Sequence, residues 1–381
     1  MFIRSFLASM LLLLPLHSMT IAHEESCLER FSDVQPIEPP LASTDEPEAI
    51  STAEMAWLPD GHCLVAAGRT GVGLYDLERP DNPLFIARSG RQSVANVAVK
   101  PNSSQIAFSV TQEPVVYLVD SEGTVRTQQA EGEAVTEIAY SSDGNLLAIA
   151  SSDIDDDWGW PKDGRVQVWD LETDTELAFI PDITSAISRL VFSQNNQLLF
   201  IGGFRTMVPG EEVEYWDIAS QSKVWSYPGI LGSVEFSENE PMLIAAADAH
   251  DRHIALGGLY GYMNLNNFYG NAIHIWDTEQ PELPAEIIVN NSNDARAGLN
   301  LVALAFNSDA TKLASAMTNG TVQLWDVQSG NELAQFQIQS DRIWQLAFSS
   351  DGTLLAVVGA SSEVYIWDVG RMEEFVVLNV G

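Results

Sequence analysis

The stretch VALAFNSDATKLASAMTNGTVQLWDVQSGNELAQFQI, residues 302–338, decides the fold of this chain. It contains four short apolar or alternating segments with the length and residue types of β-strands. The predicted strands are Val302–Phe306, Lys312–Met317, Thr321–Trp325 and Glu332–Ile338. The first turn contains Asn307 and Asp309 and the second contains Asn319-Gly320, residues that favour tight hairpins. The stretch therefore predicts a four-stranded antiparallel sheet.

The same four-part pattern recurs along the chain, and each copy ends its third strand on an aspartate. The dipeptides are Tyr75-Asp76, Val119-Asp120, Trp169-Asp170, Trp216-Asp217, Trp276-Asp277, Trp325-Asp326 and Trp367-Asp368. The aspartates are 44, 50, 47, 60, 49 and 42 residues apart, and no segment shows sustained helical periodicity. An all-β repeat of this period predicts a single seven-bladed β-propeller with four antiparallel strands per blade, here a to d from the channel outward.

Five of these dipeptides are Trp-Asp, and turns such as Ser142-Asp143-Gly144 and Ser350-Asp351-Gly352 precede the second strands. In these features residues 51–381 resemble the WD40-repeat family. The resemblance implies that b–c and d–a connections emerge on one face of the disc and a–b and c–d turns on the other. It also implies a protein-binding role. The Gly-His pair that often precedes strand a in the family occurs only as Gly61-His62, at another place, so we expect sheet packing to hold the blades together.

Three long spacings trace to insertions that we assign between strands b and c: residues 151–164, 203–212 and 248–271. In unit 5 this assignment takes 238–240 as the first turn and 243–247 as strand b. The d–a connection 290–300 would join the same face. We therefore expect the loop-rich face of blades 3 to 6 to bind a protein or peptide partner.

Aromatic residues in these insertions are the candidate contacts, because they offer large contact area with few rotatable bonds. The candidates are Trp158, Trp160, Phe204, Tyr260, Tyr262, Phe268 and Tyr269. The alternative is that these side chains fold back and pack the loops onto the disc. A carbohydrate ligand stacking on Trp158 or Trp160 is a third reading.

Acidic residues in the same loops suggest metal sites. Asp153, Asp155 and Asp157 alternate along the chain and could supply oxygen ligands to calcium, although the segment is not an EF-hand loop. The second group could bind zinc and consists of Asp248, His250, Asp251 and His253. The alternative for both groups is a solvated acidic loop.

Motifs of catalysis are missing from the linear sequence. It has neither a G-x-S-x-G elbow nor a phosphate-binding Gly-rich loop before a helix. Residues gathered around the channel from several blades would escape such a search. We therefore expect a binding protein. The alternative is an enzyme, or a binder of a small ligand such as a carbohydrate or of a metal-dependent ligand, that acts at the channel mouth.

The N-terminus and the charge bear on the compartment and the partners. Residues 1–22 have the charged, apolar and small-residue parts of a signal peptide, 23–48 form a Pro-containing extended tail, and 49–381 form the propeller. We expect an exported protein, periplasmic or secreted, without a membrane span after cleavage and with Cys27 bonded to Cys63. The net charge of −35 argues against nucleic-acid binding.

Overall fold

The computed structural model describes most of the chain, with gaps. The described residues are 26–38, 54–68, 71–88, 93–111, 113–154, 161–183, 186–193, 195–204, 211–228, 244–247, 253–258, 272–277, 285–288, 301–339, 343–359 and 363–380. Their regular secondary structure is β-strand, apart from one helical turn, α1 (Cys27–Arg30). Within these ranges, no helix is long and apolar enough to cross a membrane.

The described strands form seven four-stranded antiparallel sheets, each built from four consecutive strands. Sheet 1 contains β1 (Glu54–Trp57), β2 (Cys63–Gly68), β3 (Gly71–Asp76) and β4 (Leu84–Arg88). Sheet 2 contains β5 (Val94–Val99), β6 (Ile106–Val110), β7 (Val115–Val119) and β8 (Val125–Gln129). Sheet 3 contains β9 (Ala134–Tyr140), β10 (Leu146–Ile154), β11 (Pro161–Asp170) and β12 (Thr175–Ile183). Sheet 4 contains β13 (Ala186–Phe192), β14 (Leu198–Phe204), β15 (Glu211–Asp217) and β16 (Ser222–Pro228).

The remaining three sheets follow the same order. Sheet 5 contains β17 (Ile244–Ala247), β18 (His253–Gly258), β19 (Ala272–Asp277) and β20 (Ala285–Ile288). Sheet 6 contains β21 (Leu301–Phe306), β22 (Lys312–Met317), β23 (Thr321–Asp326) and β24 (Glu332–Gln337). Sheet 7 contains β25 (Ile343–Phe348), β26 (Leu354–Gly359), β27 (Glu363–Asp368) and β28 (Glu373–Asn379).

In sheets 1, 2, 3, 6 and 7, burial falls from the second strand to the fourth. The second strands β2 and β6 are buried along their whole length, whereas the fourth strands β24 and β28 are mostly exposed. A strand rich in Ala, Val and Leu can be buried on both faces only if a neighbouring sheet covers each face. The core therefore lies between successive sheets, as the mixed clusters of sheets 6 and 7 and of sheets 3 and 4 show.

Contacts between the innermost strands order the sheets in one row, 5–6–7–1–2–3–4. The chain ends meet inside this row, because β25 of the last sheet contacts β1 of the first. Hydrogen bonds cross this seam: the Met55 N–H donates to Oε1 of Gln345 at 2.7 Å, and Nε1–H of Trp57 donates to the Ala347 carbonyl at 3.0 Å. The first and last units thus each keep their own fourth strand.

The strand assignment expected for unit 5 is wrong. Ile244–Ala247 is the innermost strand of sheet 5 and His253–Gly258 is its second strand, paired through Ala247 and Ile254. Residues 238–240 therefore cannot form the first turn, and 248–252 connect the first two strands instead. The error arose because this unit contains two successive apolar runs of similar length, and periodicity does not tell which is innermost.

This correction divides the predicted insertion 248–271. Its first residues join the turns between first and second strands, at the opposite end of the sheet from the second-to-third connections, because adjacent strands are antiparallel. The proposed zinc residues Asp248, His250 and Asp251 belong to that turn and lie outside the described residues, and His253 begins β18. The second-to-third connection shortens to 259–271.

The insertions of units 3 and 4 are partly regular structure. β10 and β11 stay paired as far as Ile154 and Pro161, so most of the predicted loop 151–164 extends the sheet. In sheet 4, β14 reaches Phe204 and β15 begins at Glu211. The second-to-third connections of sheets 3 and 4 are therefore shorter than the predicted insertions. They comprise 155–160 and 205–210, which lie outside the described residues.

Candidate functional site

The N-terminal tail is fixed to sheets 1 and 2. Ser26 caps α1 by accepting from the Glu29 N–H, and Phe31 and Val34 are buried in the core cluster of these two sheets. Ile37 forms a parallel bridge to Ala87 at the outer edge of β4. Residues 26–38 of the tail are therefore anchored to these sheets by a buried disulfide and two apolar side chains.

The predicted disulfide is confirmed: Cys27 is bonded to Cys63, with the two Cα atoms 6.3 Å apart. Asp76 lies close to both sulfur atoms. Because the disulfide consumes both thiolates, these three residues do not form a metal site. Arg30 adds an ion pair with Asp60 in the first turn of sheet 1.

We call the side of the disc that carries the second-to-third connections the loop face. At this face sheet 3 extends further than sheet 1, which makes its hairpin the taller one. Ser151 of β10 aligns with Gly68, the last residue of β2, and β10 continues for three residues beyond Ser151. The Ile154 N–H donates to the Glu133 carboxylate at 2.9 Å. The taller hairpin is thus tied to the connection that enters sheet 3.

An arginine fixes the same hairpin from its other strand. The Arg165 guanidinium donates to both carboxylate oxygens of Asp153, at 2.9 and 2.6 Å, and to the Glu131 carbonyl at 3.0 Å. This two-bond ion pair, with both side chains partly buried, is geometrically specific. Asp153 is therefore engaged by a cation of the chain itself, and a calcium ion would have to displace Arg165.

The structure describes few of the other predicted site residues. Phe204 is the last residue of β14 and pairs with Ala186. Asp155, Asp157, Trp158, Trp160, Tyr260, Tyr262, Phe268 and Tyr269 lie outside the described residues.

A cavity of about 1020 Å³ runs along the inner strands. Six of the seven inner strands line it, with Trp57, Phe306 and Phe348 as aromatic wall residues and Glu137 and Arg189 as charged ones. The turns after these strands also line it, so the cavity reaches the face opposite the loop face. A cavity with a few converging polar groups can bind a small ligand.

One position of the inner strands is polar in five sheets. It is the residue three before the last of each inner strand, and the strand registers align it across the sheets. This inner set consists of Glu54, Asn96, Glu137, Arg189, Ile244, Ala303 and Gln345.

The polar members of the inner set bond to the neighbouring sheet. Gln345 accepts from the Met55 N–H, Glu54 accepts from the Val97 N–H at 3.0 Å, and Asn96 donates to the Val135 carbonyl at 3.3 Å. Arg189 donates to Glu137 at 3.1 Å. Every seam from sheet 7 to sheet 4 thus has a bond made by the inner set.

Burial perturbs the ionisable members of this set. Burial, and next the negative charge of Glu137, raises the pKa of Glu54 to about 8. Burial also raises the pKa of Glu137, with Arg189 opposing it, and the charge of Glu137 raises the pKa of Arg189. Strongly perturbed carboxyl groups are candidates for a functional site. Motif searching missed the three residues because Glu137 is 83 residues after Glu54 and Arg189 is 52 residues after Glu137. Aligning the inner strands reveals all three.

The repeated aspartates act in the turns. Asp326 accepts from the N–H and the hydroxyl of Ser329, and Asp217 accepts the same two bonds from Ser220. The bond from each serine hydroxyl, followed by that from its N–H, lowers the pKa of the aspartate. In sheet 6, Nε1–H of Trp325 donates to the buried Ser315 hydroxyl at 2.8 Å.

Family comparisons agree with this architecture. The family model of the WD domain, G-beta repeat, matches residues 123–170, from the fourth strand of sheet 2 to the third strand of sheet 3. The model of the anaphase-promoting complex subunit 4 WD40 domain matches residues 271–349. These two matches support a WD40-repeat family for this chain. WD40 repeats generally mediate protein interactions as scaffolds. A search of curated proteins finds no match to this chain.

Proposed function

We propose that this WD40 protein is an exported, seven-bladed propeller that binds a protein or peptide partner through the loop face of sheets 3 to 6. The observation that carries the proposal is the tall hairpin of sheet 3, fixed by the Arg165–Asp153 ion pair and the Ile154–Glu133 bond. Binding surfaces commonly sit on connections that a rigid scaffold positions. A pre-ordered hairpin lowers the entropic cost of association.

The row of inner strands supports the closed seven-bladed ring of this proposal. Six of the seven neighbour contacts that such a ring needs are present. The seventh would join sheets 4 and 5. Seven sheets of one repeat, whose first and last members already touch, favour closure over an open row, because closure leaves no sheet face uncovered.

Export rests on two independent features. The sequence begins with the three parts of a signal peptide, and the chain contains a disulfide, a bond that persists in oxidising compartments. Mass spectrometry of the mature protein tests it. The expected N-terminus is His23, and a mature chain that retains Met1 would contradict export by cleavage.

Site-specific photo-crosslinking tests the binding face. A photoreactive phenylalanine analogue replaces Trp158 or Tyr260 on the loop face, or the exposed Gln328 in a turn of the opposite face as the matched control. In the native host, we expect a discrete crosslinked adduct from the first two positions and none from the third. An adduct from Gln328 alone would move the binding site to the opposite face.

The cavity favours a second candidate, a small polar ligand held at the channel mouth near Glu137 and Arg189. A ligand that binds the native state must raise the melting temperature. Thermal unfolding with calcium, zinc, a chelator and an oligosaccharide panel tests this candidate. Unchanged melting temperatures under all these conditions would contradict it.

A further inference from the structure

Three ionisable side chains stand at the equivalent position of the inner strands of sheets 1, 3 and 4. Glu54 comes from β1, Glu137 from β9 and Arg189 from β13. Arg189 donates to Oε1 of Glu137 at 3.1 Å, and the strand registers place Glu54 at the same level of its inner strand, where the charges of both other groups act on it. The cluster has two carboxyl groups and one guanidinium.

The surroundings of Glu54 supply no second cation. The strands in contact with β1 are β2, β5 and β25, and their sequences CLVAAG, VANVAV and IWQLAF contain no charged residue. The backbone N–H of Val97 is the hydrogen-bond donor to its carboxyl group. Among the described residues, Glu137 and Arg189 are therefore the charged groups that act on it.

We propose that this cluster is a proton-binding site: one proton resides on Glu54, so that the three side chains together carry no net charge at neutral pH. The proton belongs to Glu54 rather than to Glu137 because Arg189 bonds directly to Glu137 and stabilises its ionised form. The hydrogen-bond donor to the Glu54 carboxyl group is the uncharged backbone N–H of Val97. The carboxyl group of Glu54 can accept from the Val97 N–H in either protonation state.

The balance of effects supports this assignment. Arg189 and the Val97 N–H favour ionised Glu54, whereas burial and the charge of Glu137 favour the protonated form. The second pair dominates, because burial in low dielectric penalises an uncompensated charge more than one backbone hydrogen bond stabilises it. The pKa of Glu54 is accordingly raised to about 8.

The site makes the seam between sheets 1 and 2 sensitive to pH. A carboxyl group whose pKa is higher in the folded than in the unfolded chain stabilises the fold fully below the unfolded pKa, near 4.5. This stabilisation is lost as the pH rises through the folded value. Release of the proton leaves the cluster with one uncompensated negative charge beside the seam that also holds the tail.

Infrared spectroscopy of the carboxyl groups tests the site directly. We expect the wild-type protein at pH 7 to show the carbonyl band of a protonated, buried carboxylic acid, which disappears when the pH exceeds about 8. Glu54→Gln should remove this band while keeping an acceptor for Val97. Glu133→Gln is the matched control, since Glu133 also accepts a backbone N–H but is exposed.

Each outcome decides the proposal. A band that is absent from the wild type at pH 7, or that survives in Glu54→Gln and is lost in Glu137→Gln, overturns it. Denaturant unfolding gives a second readout on the same proteins. Between about pH 5 and pH 8 the unfolding constant of the wild type should rise up to about tenfold per pH unit relative to Glu54→Gln. Parallel pH profiles for the two proteins would also overturn the proposal.

Discussion

Apolar clusters lie between neighbouring sheets on both sides of the row of inner strands, but the two sides differ in the bonds that the inner set adds. From sheet 7 through sheets 1 and 2 to sheets 3 and 4, the inner set is polar and bonds each sheet to the next. At the equivalent positions of sheets 5 and 6 stand Ile244 and Ala303. Among the described residues, the seam between sheets 5 and 6 has an apolar cluster that includes Leu304, Phe306 and Ile275, and the inner set adds no bond there.

The difference shows how one repeat can serve two purposes. Apolar packing is non-directional and does not depend on pH, so it contributes stability alone. A polar side chain bonded to the neighbouring backbone fixes the offset between two sheets, and where it is ionisable it also binds a proton. The protein keeps the same strand geometry on both sides and changes the chemistry at one position.

The largest effect on stability should come from a substitution in the apolar cluster between sheets 5 and 6. Phe306→Ala removes a ring that is 7% exposed, and we expect a loss of about 3–5 kcal/mol in the free energy of unfolding. The loss should be equal at pH 6 and pH 9. Urea unfolding at both values measures it, with Phe375→Ala, whose ring is 53% exposed, as the control. A loss that varied with pH would contradict the division proposed here.

Breaking the ion pair of the polar side should cost less and should depend on pH. Arg189→Met leaves Glu137 without its cation, and we expect a loss of about 2–3 kcal/mol at pH 7, below the range for a fully buried pair because Arg189 is partly exposed. Without the guanidinium the pKa of Glu137 rises further, so the loss should grow from pH 6 to pH 9. Urea unfolding at these pH values is the measurement.

The control for this ion pair is Arg126→Met. Arg126 pairs with Asp174 at 3.1 Å on the surface, and an exposed pair of this kind should contribute less than about 1 kcal/mol. Equal losses for the two arginines would mean that the channel wall does not hold Arg189 in a special environment.

A neutral bond of the polar side should have a smaller, pH-independent effect. Gln345→Leu leaves the Met55 N–H without its acceptor, and we expect a loss of about 1–2 kcal/mol. Urea unfolding measures this loss, and hydrogen exchange of the Met55 amide should become faster. Gln335→Leu, on the exposed face of β24, is the control and should change neither quantity. Unchanged exchange at Met55 in Gln345→Leu would show that this bond does not hold the seam.

The smallest effect should come from a turn, away from both seams. Asp326→Asn removes the charge that accepts two bonds from Ser329, and we expect a slightly lower melting temperature at pH 7. Because these bonds lower the pKa of Asp326, its contribution is present above the unfolded pKa and is lost as the pH falls. Thermal unfolding at pH 7 and pH 3 should therefore show the difference only at pH 7.

The repeat was predictable because its signals are local. The residues Asp60, Asp143, Asp309 and Asp351 each accept from backbone N–H groups of their own first turn, so the turn sequence alone specifies the turn. The strand assignment of sheet 5 failed for the same reason. Two apolar runs carry equal local signals, and only the contact with the inner strand of sheet 6 shows which run is innermost. The Arg165–Asp153 pair was missed because strand pairing across the hairpin brings the two residues together.

The amino-acid sequence determined the all-β repeat, its turns and the pairing of Cys27 with Cys63, because these depend on periodicity, turn chemistry and the presence of two cysteines. Tertiary structure decided which residues share one level of the channel wall. Glu54, Glu137 and Arg189 are unremarkable in three separate strands, and only the packing of inner strands places two carboxyl groups beside one guanidinium. The pKa of Glu54 depends on burial and on charges that are distant along the chain, so no local pattern could specify it.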